Sequence, residues 1–201
     1  MMKTRRLSQG VTLMTLIAST LYAQAAPQTQ ERTIRRLPIE RNEPLAITDT
    51  KVNGRSVSFD QKFVANDDWI RSLVISVKNK SDKLILFAEL DLFFPRPTNS
   101  KNQLAMFNLL FYGNHPLLTR PPTPDERLAG IAPGETVEIG FSVQNFVGLQ
   151  QFLAETGYSA GIKKLDLRIG RVIFEDDTMW GRDGSLRRDP NNPGSWHNVN
   201  P

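Results

Sequence analysis

The chain has 201 residues, a formal net charge of +4 and no cysteine. The absence of cysteine excludes disulfide bonds, zinc sites built on thiolates and a lipid-modified N-terminal cysteine. The length is sufficient for one domain with a sizeable hydrophobic core, so we expect stability to come from packing and not from covalent cross-links.

The first 25 residues have the three-part pattern of a secretory signal peptide. Lys3, Arg5 and Arg6 form a basic start, an apolar run covers residues 11–22, and small residues at 23–25 suit cleavage. The apolar run is too short to span about 30 Å of hydrocarbon as a helix, and a retained N-terminal anchor is the alternative. We therefore predict export to the periplasm or the cell exterior, with no membrane-spanning segment after cleavage.

Removal of this leader changes the charge balance. The whole chain has 25 Lys plus Arg against 21 Asp plus Glu, and loss of the three leader cations leaves 22 against 21. A nucleic-acid-binding protein needs a basic patch. The local basic group formed by Lys78, Lys80 and Lys83 is typical of a solvated turn between strands, so we predict no nucleic-acid partner.

The mature chain begins with a polar segment and then becomes strand-like. Residues 26–43 are charged and have little periodicity, which predicts an extended N-terminal arm or linker. One folded domain is predicted over residues 44–201, including a C-terminal tail at 175–201. Its first hairpin is indicated by Asn53-Gly54, because this dipeptide suits the positive φ angles of a type I′ turn.

Two alternating segments follow, separated by a short polar turn at residues 80–82, and they predict a second hairpin. The first segment is "WIRSLVISVKN" and the second is "KLILFAELDLFFP". Glu89 and Asp91 lie on one face of the second segment. Its other face is predicted to carry the apolar residues Leu84, Leu86, Ala88, Leu90, Leu92 and Phe94.

The middle of the chain contains strand-like segments, a long connection and one segment with helical spacing. "LAMFNLLFYG" predicts a strand, with a helix as the alternative, and an exposed strand of this type could pair with a partner's sheet edge. Residues 114–134 form a long proline-rich connection, and alternation returns in "ETVEIGFSV". The apolar residues of 145–157 have helical spacing, and Gly157 is suited to end the helix.

The last strong strand is "KKLDLRIGRVIFED". Leu165, Leu167 and Ile169 alternate, but Val172 and Phe174 have the opposite parity, which predicts a β-bulge at Gly170-Arg171. Many alternating strands with one short helix predict a mainly β fold. We expect a single immunoglobulin-like antiparallel β-sandwich, closed by a C-terminal hairpin and an extended tail.

The tail also carries a resemblance. A strand ending at Phe174 is followed by Asp177-Thr178-Met179-Trp180, then by Arg188-Asp189-Pro190-Asn191, Pro193 and Trp196. This arrangement resembles the C-terminal pattern of a group of uncharacterised exported bacterial proteins, over about the last 30 residues. Members of that group often have Asp-Gly-Thr-Met-Trp, where this chain has Asp176-Asp177-Thr178. The resemblance implies export and a β-rich fold, and it implies no activity or catalytic residue.

A structural interpretation of the tail is favoured. Asp176-Asp177 is predicted to turn the chain, Thr178 to Trp180 to return as a short strand, and Asp183-Gly184 to form a second turn. The following residues are predicted to run extended over the surface. Trp180 and Trp196 would pin the tail by burying apolar area, with Arg187, Arg188 and Asp189 as a solvated or paired fringe.

Functional interpretations of the tail are the alternatives. A carbohydrate site would use Trp180 or Trp196 as a platform, and a calcium site would need carboxylates to converge. An enzyme, such as a hydrolase with paired carboxylates, is the third possibility. The candidate ligand-binding residues are Asp176, Asp177, Trp180, Arg182, Asp183 and Trp196. We expect no obligatory cofactor, and a non-catalytic binding role with a protein or glycan partner.

Overall fold

The computed structural model describes residues 29–95, 105–158 and 161–199, so the predicted signal peptide lies outside the described residues. The strands of this part are β1 Gln30–Arg36, β2 Leu45–Val52, β3 Arg55–Ser56, β4 Lys62–Ala65, β5 Val74–Asn79, β6 Ile85–Phe94, β7 Ala105–Gly113, β8 Thr136–Gly140, β9 Lys164–Phe174, β10 Thr178–Gly181, β11 Gly184–Arg188 and β12 Trp196–Asn198. The helices are α1 Pro124–Leu128 and α2 Val143–Glu155, and two 3-10 turns cover Trp69–Ser72 and His115–Leu118.

The strands form two sheets, which confirms the prediction of a mainly β, sandwich-like fold with one short helix. The main sheet has eight strands in the order β12-β11-β10-β9-β1-β4, with β6 on the other side of β9 and β7 beyond β6. The smaller sheet has the order β3-β2-β5-β8. All strand pairs in the described residues are antiparallel except β1 with β9, which run parallel.

The core lies between the two sheets. Its largest fully buried side chain is Trp69, and it combines residues of the smaller sheet, such as Ile75, with residues of the main sheet, such as Leu90. A second, smaller apolar cluster lies on the outer face of the main sheet. It contains Leu86, Phe87, Leu117, Leu118, Ile173 and Met179.

Local signals in the sequence predicted several turns correctly. Asn53 and Gly54 have φ angles of 51° and 73° and join β2 to β3, as expected for a type I′ turn. The pairing of β6 with β9 changes register so that Gly170 and Arg171 face Glu89 alone, which confirms the predicted bulge. The bulge keeps Val172 in the same core as Ile169.

The predicted hairpin between β5 and β6 is wrong. β5 pairs with β2 and β8 in the smaller sheet, whereas β6 pairs with β7 and β9 in the main sheet. The turn at residues 80–82 therefore carries the chain from one sheet to the other. The sequence could not distinguish these outcomes, because a short turn and alternation are common to both connections.

A register shift between Ile85 and Phe87 also changes the predicted faces of β6. The prediction placed Leu84 and Leu86 with Leu90. In the structure, Leu86 belongs to the outer cluster and Leu84 packs against that cluster, while Leu90 faces the main core. One irregularity in a strand moves every residue before it to the other face.

The N-terminal segment also differs from the prediction. Residues 30–36 of the predicted arm form β1, which pairs with β4 and β9 inside the main sheet. The sequence hides the alternation because one inward position is an arginine: Arg32 and Ile34 are both fully buried. Arg32 forms an ion pair with Asp67. The parallel pairing with β9 is possible because long stretches of chain separate the two strands.

The connection at residues 114–134 contains the 3-10 turn at His115–Leu118 and helix α1. Helix α1 begins with a capping box, in which the Thr123 hydroxyl accepts from the Glu126 amide and Glu126 accepts from the Thr123 amide. Among the helices of the described part, none has both the length and the apolar character needed to cross a membrane.

Candidate functional site

The two tail tryptophans pack against the two apolar clusters of the fold. Trp180 is 7% exposed and belongs to the main core, although one edge borders a shallow surface depression beside residues 80–83. The Trp196 indole N–H donates to the Leu118 carbonyl at 3.0 Å. The Arg188 guanidinium lies 4.3 Å from the Trp196 ring centroid and covers its face. Trp180 is therefore buried in the core, and Arg188 covers one face of the partly exposed Trp196 ring.

Arg188 holds the tail in place: it was predicted to belong to a solvated or paired fringe, and in the structure it is paired with Asp177 but buried. Its side chain is 3% exposed. The guanidinium donates to Asp177 at 3.2 Å, to the Pro193 carbonyl at 2.7 Å and to the Leu117 carbonyl at 2.7 Å. Burial lowers the pKa of Arg188, against the opposing effect of Asp177. One side chain thus joins the tail to the turn after β9 and to the 3-10 turn after β7.

Asp176 and Asp177 shape the turn between β9 and β10. Asp177 has a φ of 58°, a left-handed conformation that aspartate tolerates. Asp176 accepts from Lys83 at 2.7 Å and from the amide of Thr178 at 3.2 Å. Partial burial acts to raise the pKa of Asp176, but the bonds from Lys83 and Thr178 outweigh it and the pKa is lowered. The oxygens of both residues are used within the fold.

The carboxylates of the tail do not form a cation site. Within the described residues there is no group of three or more His, Asp or Glu side chains that could hold a metal ion. Asp176 contacts Lys83, and Asp177 contacts Arg127 and Arg188. The calcium interpretation needed Asp183 to join these two residues, and Asp183 lies instead at the next hairpin.

Arg182 and Asp183 form the two-residue turn between β10 and β11, since Gly181 pairs with Gly184. The turn is therefore one residue earlier than predicted, and Gly184 takes a φ of 122° that suits glycine. Both side chains are exposed and border a cavity of about 390 Å³, which we call the outer cleft. Its other main lining residues are Asp91, Met106, Asn108, Arg168, Arg171 and Met179.

Two carboxylates that are buried on the outer face of the main sheet hold the arginines that line the outer cleft. Glu89 accepts from Arg171 Nε at 2.5 Å and from Nη2 at 3.1 Å, and its side chain is 1% exposed. Asp91 accepts from Arg168 Nε at 2.8 Å and its side chain is 9% exposed. Each carboxylate therefore anchors one edge of a guanidinium, which is a strong, charge-assisted arrangement.

The arginines are fixed but remain accessible. The side chains of Arg168 and Arg171 are 22% and 39% exposed. The hydrogen bond from Arg171 to Glu89 raises the pKa of that guanidinium, so its charge is secure. Within the described residues, the Nη1 groups of both arginines have no acceptor. Both arginines line the cleft.

The bulge in β9 provides the room for this arrangement. A Cβ atom at Gly170 would lie 2.7 Å from Asp91 Oδ1, so the carboxylate packs directly on the glycine backbone. The Arg168 guanidinium also lies 4.8 Å from the Phe93 ring centroid, a cation–π contact. Since Phe93 pairs with Met106 of β7, Arg168 extends over β6 towards the edge of the sheet.

Strand β7 forms that edge. It is nine residues long, contains no charged residue or proline, and pairs with β6 alone. No backbone hydrogen bond joins β7 to any other segment of the described chain. It is the longest strand at the edge of either sheet. Met106, on its outer face, is 47% exposed and lines the outer cleft.

The chain matches no protein-family model, no curated protein and no solved structure. The resemblance of the tail to exported bacterial proteins stays a prediction. The case for a function therefore depends on the geometry alone.

The sequence pointed to two residues of the cleft lining, Arg182 and Asp183, but not to the anchored arginines or their carboxylates. Glu89 and Asp91 were correctly placed on one face of β6, opposite Leu90, and no role was predicted for them. A usable signal was present, because two acids on one long strand, spaced two residues apart, match two arginines on another long and mainly apolar strand. The pairing of Asp91 with Arg168 across these strands is the type of cross-strand pair that stabilises sheets.

Proposed function

We propose that the protein is an exported, non-catalytic interaction module that binds an extended, acidic segment of a partner protein along β7. The observation that carries the proposal is that, among the described residues, β7 has no backbone partner on the edge away from β6. A strand of nine uncharged residues with an unpaired edge is a template for another chain, and proteins normally protect such edges with lysine, proline or a covering segment. β7 itself has no lysine or proline.

The outer cleft supplies the chemistry for an acidic partner. A strand added beside β7 would continue the sheet at a spacing of about 4.8 Å and point every second side chain to the outer face. Those side chains would lie beside Met106 and the cleft that contains Arg168 and Arg171. Guanidinium groups with free donors match carboxylates well.

Preorganisation favours this use of the arginines. Glu89 and Asp91 already hold the two guanidiniums, so little side-chain freedom is lost when a ligand binds. The exposed Arg182 at the hairpin tip, whose Nε lies 4.0 Å from Glu40, adds a third cation to the cleft lining. Asp183, beside it, disfavours a partner with misplaced carboxylates and so limits the positions that an acid can take.

Binding of short peptides tests the proposal. We expect a nine-residue peptide that alternates threonine and glutamate to bind more tightly than the same peptide with glutamine, and lysine in these positions to prevent binding. Fluorescence anisotropy measures the three affinities. Equal affinity for the three peptides, or no binding of any, would contradict the proposal.

A matched pair of double variants locates the site. Glu89→Gln with Arg171→Gln removes both charges of one anchored pair and leaves two amides that can bond each other. We expect it to lower the preference for the glutamate peptide about tenfold, the loss of one charge-assisted contact. Glu31→Gln with Lys62→Gln removes an exposed pair on β1 and β4 and should leave the preference unchanged.

Export is part of the proposal and has its own test. N-terminal sequencing of the protein recovered from expressing bacteria should give a mature chain that begins at Ala26. A protein that retains Met1 in the cytoplasm would contradict the export prediction and would leave the peptide-binding result unaffected.

A further inference from the structure

A second cavity lies between α2 and the 3-10 turn at Trp69–Ser72. It has a volume of about 260 Å³ and shares no lining residue with the outer cleft. Its walls are mainly apolar, which is typical of sites for small organic ligands. The apolar walls are formed by Ile70, Phe146, Leu149, Leu153, Tyr158 and Ile162.

The cavity has an acidic rim. Asp67 and Asp68 both line it, and both side chains are exposed. Asp67 Oδ1 accepts from Arg32 Nη2 at 2.5 Å. In the described part of the chain, Asp67 Oδ2 and both Asp68 oxygens receive no hydrogen bond. The three charges at the rim, two acids and one base, sum to one negative charge.

The rim is held rigidly. Arg32 is fully buried and donates through Nη1 to the Ile162 carbonyl at 2.9 Å, while Trp69 donates to the same carbonyl at 2.7 Å. A Cβ atom at Gly161 would lie 2.1 Å from Asp67 Oδ1, so the carboxylate rests on the glycine backbone. A buried arginine thus fixes one acid at the mouth of an apolar cavity, and the second acid stands beside it.

We propose that this cavity binds a small organic amine with an apolar body, such as an aryl- or alkylamine. The apolar body would occupy the space between Phe146, Leu153 and Ile162, and the ammonium group would lie between Asp67 and Asp68. The volume suits a ring with a short chain and is too small for a peptide segment. This site is independent of the proposed peptide site on β7.

Titration with three matched small molecules tests the proposal. The probes are 2-phenylethylamine, the uncharged 2-phenylethanol and the anionic 3-phenylpropionate, followed by the amide and Trp69 indole resonances in NMR spectra. Trp69 is a suitable reporter because its N–H bonds to Ile162 at the cavity wall. We expect saturable binding of the amine, at least about tenfold weaker binding of the alcohol and none of the anion.

Two variants and one control locate the binding. Asp68→Asn should reduce the preference for the amine about tenfold without affecting the fold, because the Asp68 side chain does not cap the 3-10 turn and has no hydrogen bond or ion pair within the described residues. Asp82→Asn, at an exposed aspartate away from the cavity, should leave it unchanged. Leu153→Trp should fill the cavity and prevent binding of all three probes.

Equal binding of amine and alcohol would overturn the proposal, as would shifts confined to residues outside the cavity or no saturable binding at millimolar concentration. Because the cavity and β7 share no residue, these outcomes leave the peptide result untouched.

Discussion

The outer face of the main sheet has two ends that use charge in opposite ways. At one end, the tail and the 3-10 turn at His115–Leu118 cover the second apolar cluster. There, Arg188 donates hydrogen bonds to Asp177 and to two backbone carbonyls. At the other end, Arg168 and Arg171 each use one edge on a buried carboxylate and keep Nη1 donors at a cleft.

The comparison teaches that density of aromatic and charged residues is a poor guide to a binding site. The tail has eight charged residues and two tryptophans between positions 175 and 201, and the polar groups of Asp176, Asp177 and Arg188 are bonded within the fold. The cleft arises from two mainly apolar strands. A binding site is better recognised by hydrogen-bond donors that the fold holds in place but leaves without an acceptor.

The largest predicted effect tests the structural role of the tail. Trp180→Ala should lower the free energy of unfolding by about 3–5 kcal/mol, because it leaves a cavity in the main core. Urea denaturation measures the change, and Val64→Ala, at a position that is 70% exposed, should stay within about 0.5 kcal/mol of wild type. A Trp180→Ala protein as stable as wild type would contradict the structural role of the tail.

Arg188→Gln should cost about 2–3 kcal/mol in unfolding free energy. The change removes a buried guanidinium and leaves the Leu117 and Pro193 carbonyls without their donor. The neighbouring exposed Arg187 offers a matched control, and Arg187→Gln should be close to neutral in the same urea experiment. If the two variants were equally stable, Arg188 would not be the residue that holds the tail.

Two glycine substitutions should change the stability of the protein in opposite directions. Gly170→Ala places a Cβ against Asp91 and should destabilise the protein by about 1–3 kcal/mol while disturbing the outer cleft. Gly148→Ala lies in α2 with open space around it and should stabilise by about 0.5–1 kcal/mol through helix propensity. Thermal unfolding of both variants checks the signs, and a stabilising Gly170→Ala would show that Asp91 is not packed on the bulge.

The smallest effect is a pH dependence at the tail turn. The pKa of Asp176 is lowered in the folded state, so its contribution to stability is present above the usual aspartate pKa of about 4 and is lost as the pH falls through the folded-state value. The stability difference between wild type and Asp176→Asn should therefore shrink between pH 6 and pH 2. A difference that is constant with pH would show that Lys83 does not stabilise the carboxylate.

Much of the fold could be predicted because its signals are local. The turn at Asn53-Gly54, the end of α2 near Gly157 and the bulge at Gly170-Arg171 each follow from backbone sterics or from side-chain parity. The strand composition then indicates a sandwich-like fold.

The predictions that were wrong concern the pairing of strands that are distant in the sequence. Local alternation does not say whether β5 and β6 share a sheet, and the buried Arg32 conceals that β1 is a strand of the main sheet. The anchored arginines of the outer cleft were missed for the same reason, because the bond between Glu89 and Arg171 joins residues 82 positions apart and depends on the register of β6 with β9.

Amide hydrogen exchange with the threonine–glutamate peptide tests the central claim most directly. The account predicts that the amides of β7 gain protection when the peptide is added, since their unpaired edge becomes hydrogen-bonded, while the amides of β10, β11 and β12 do not change. Protection that appears in the tail strands and not in β7 would contradict it.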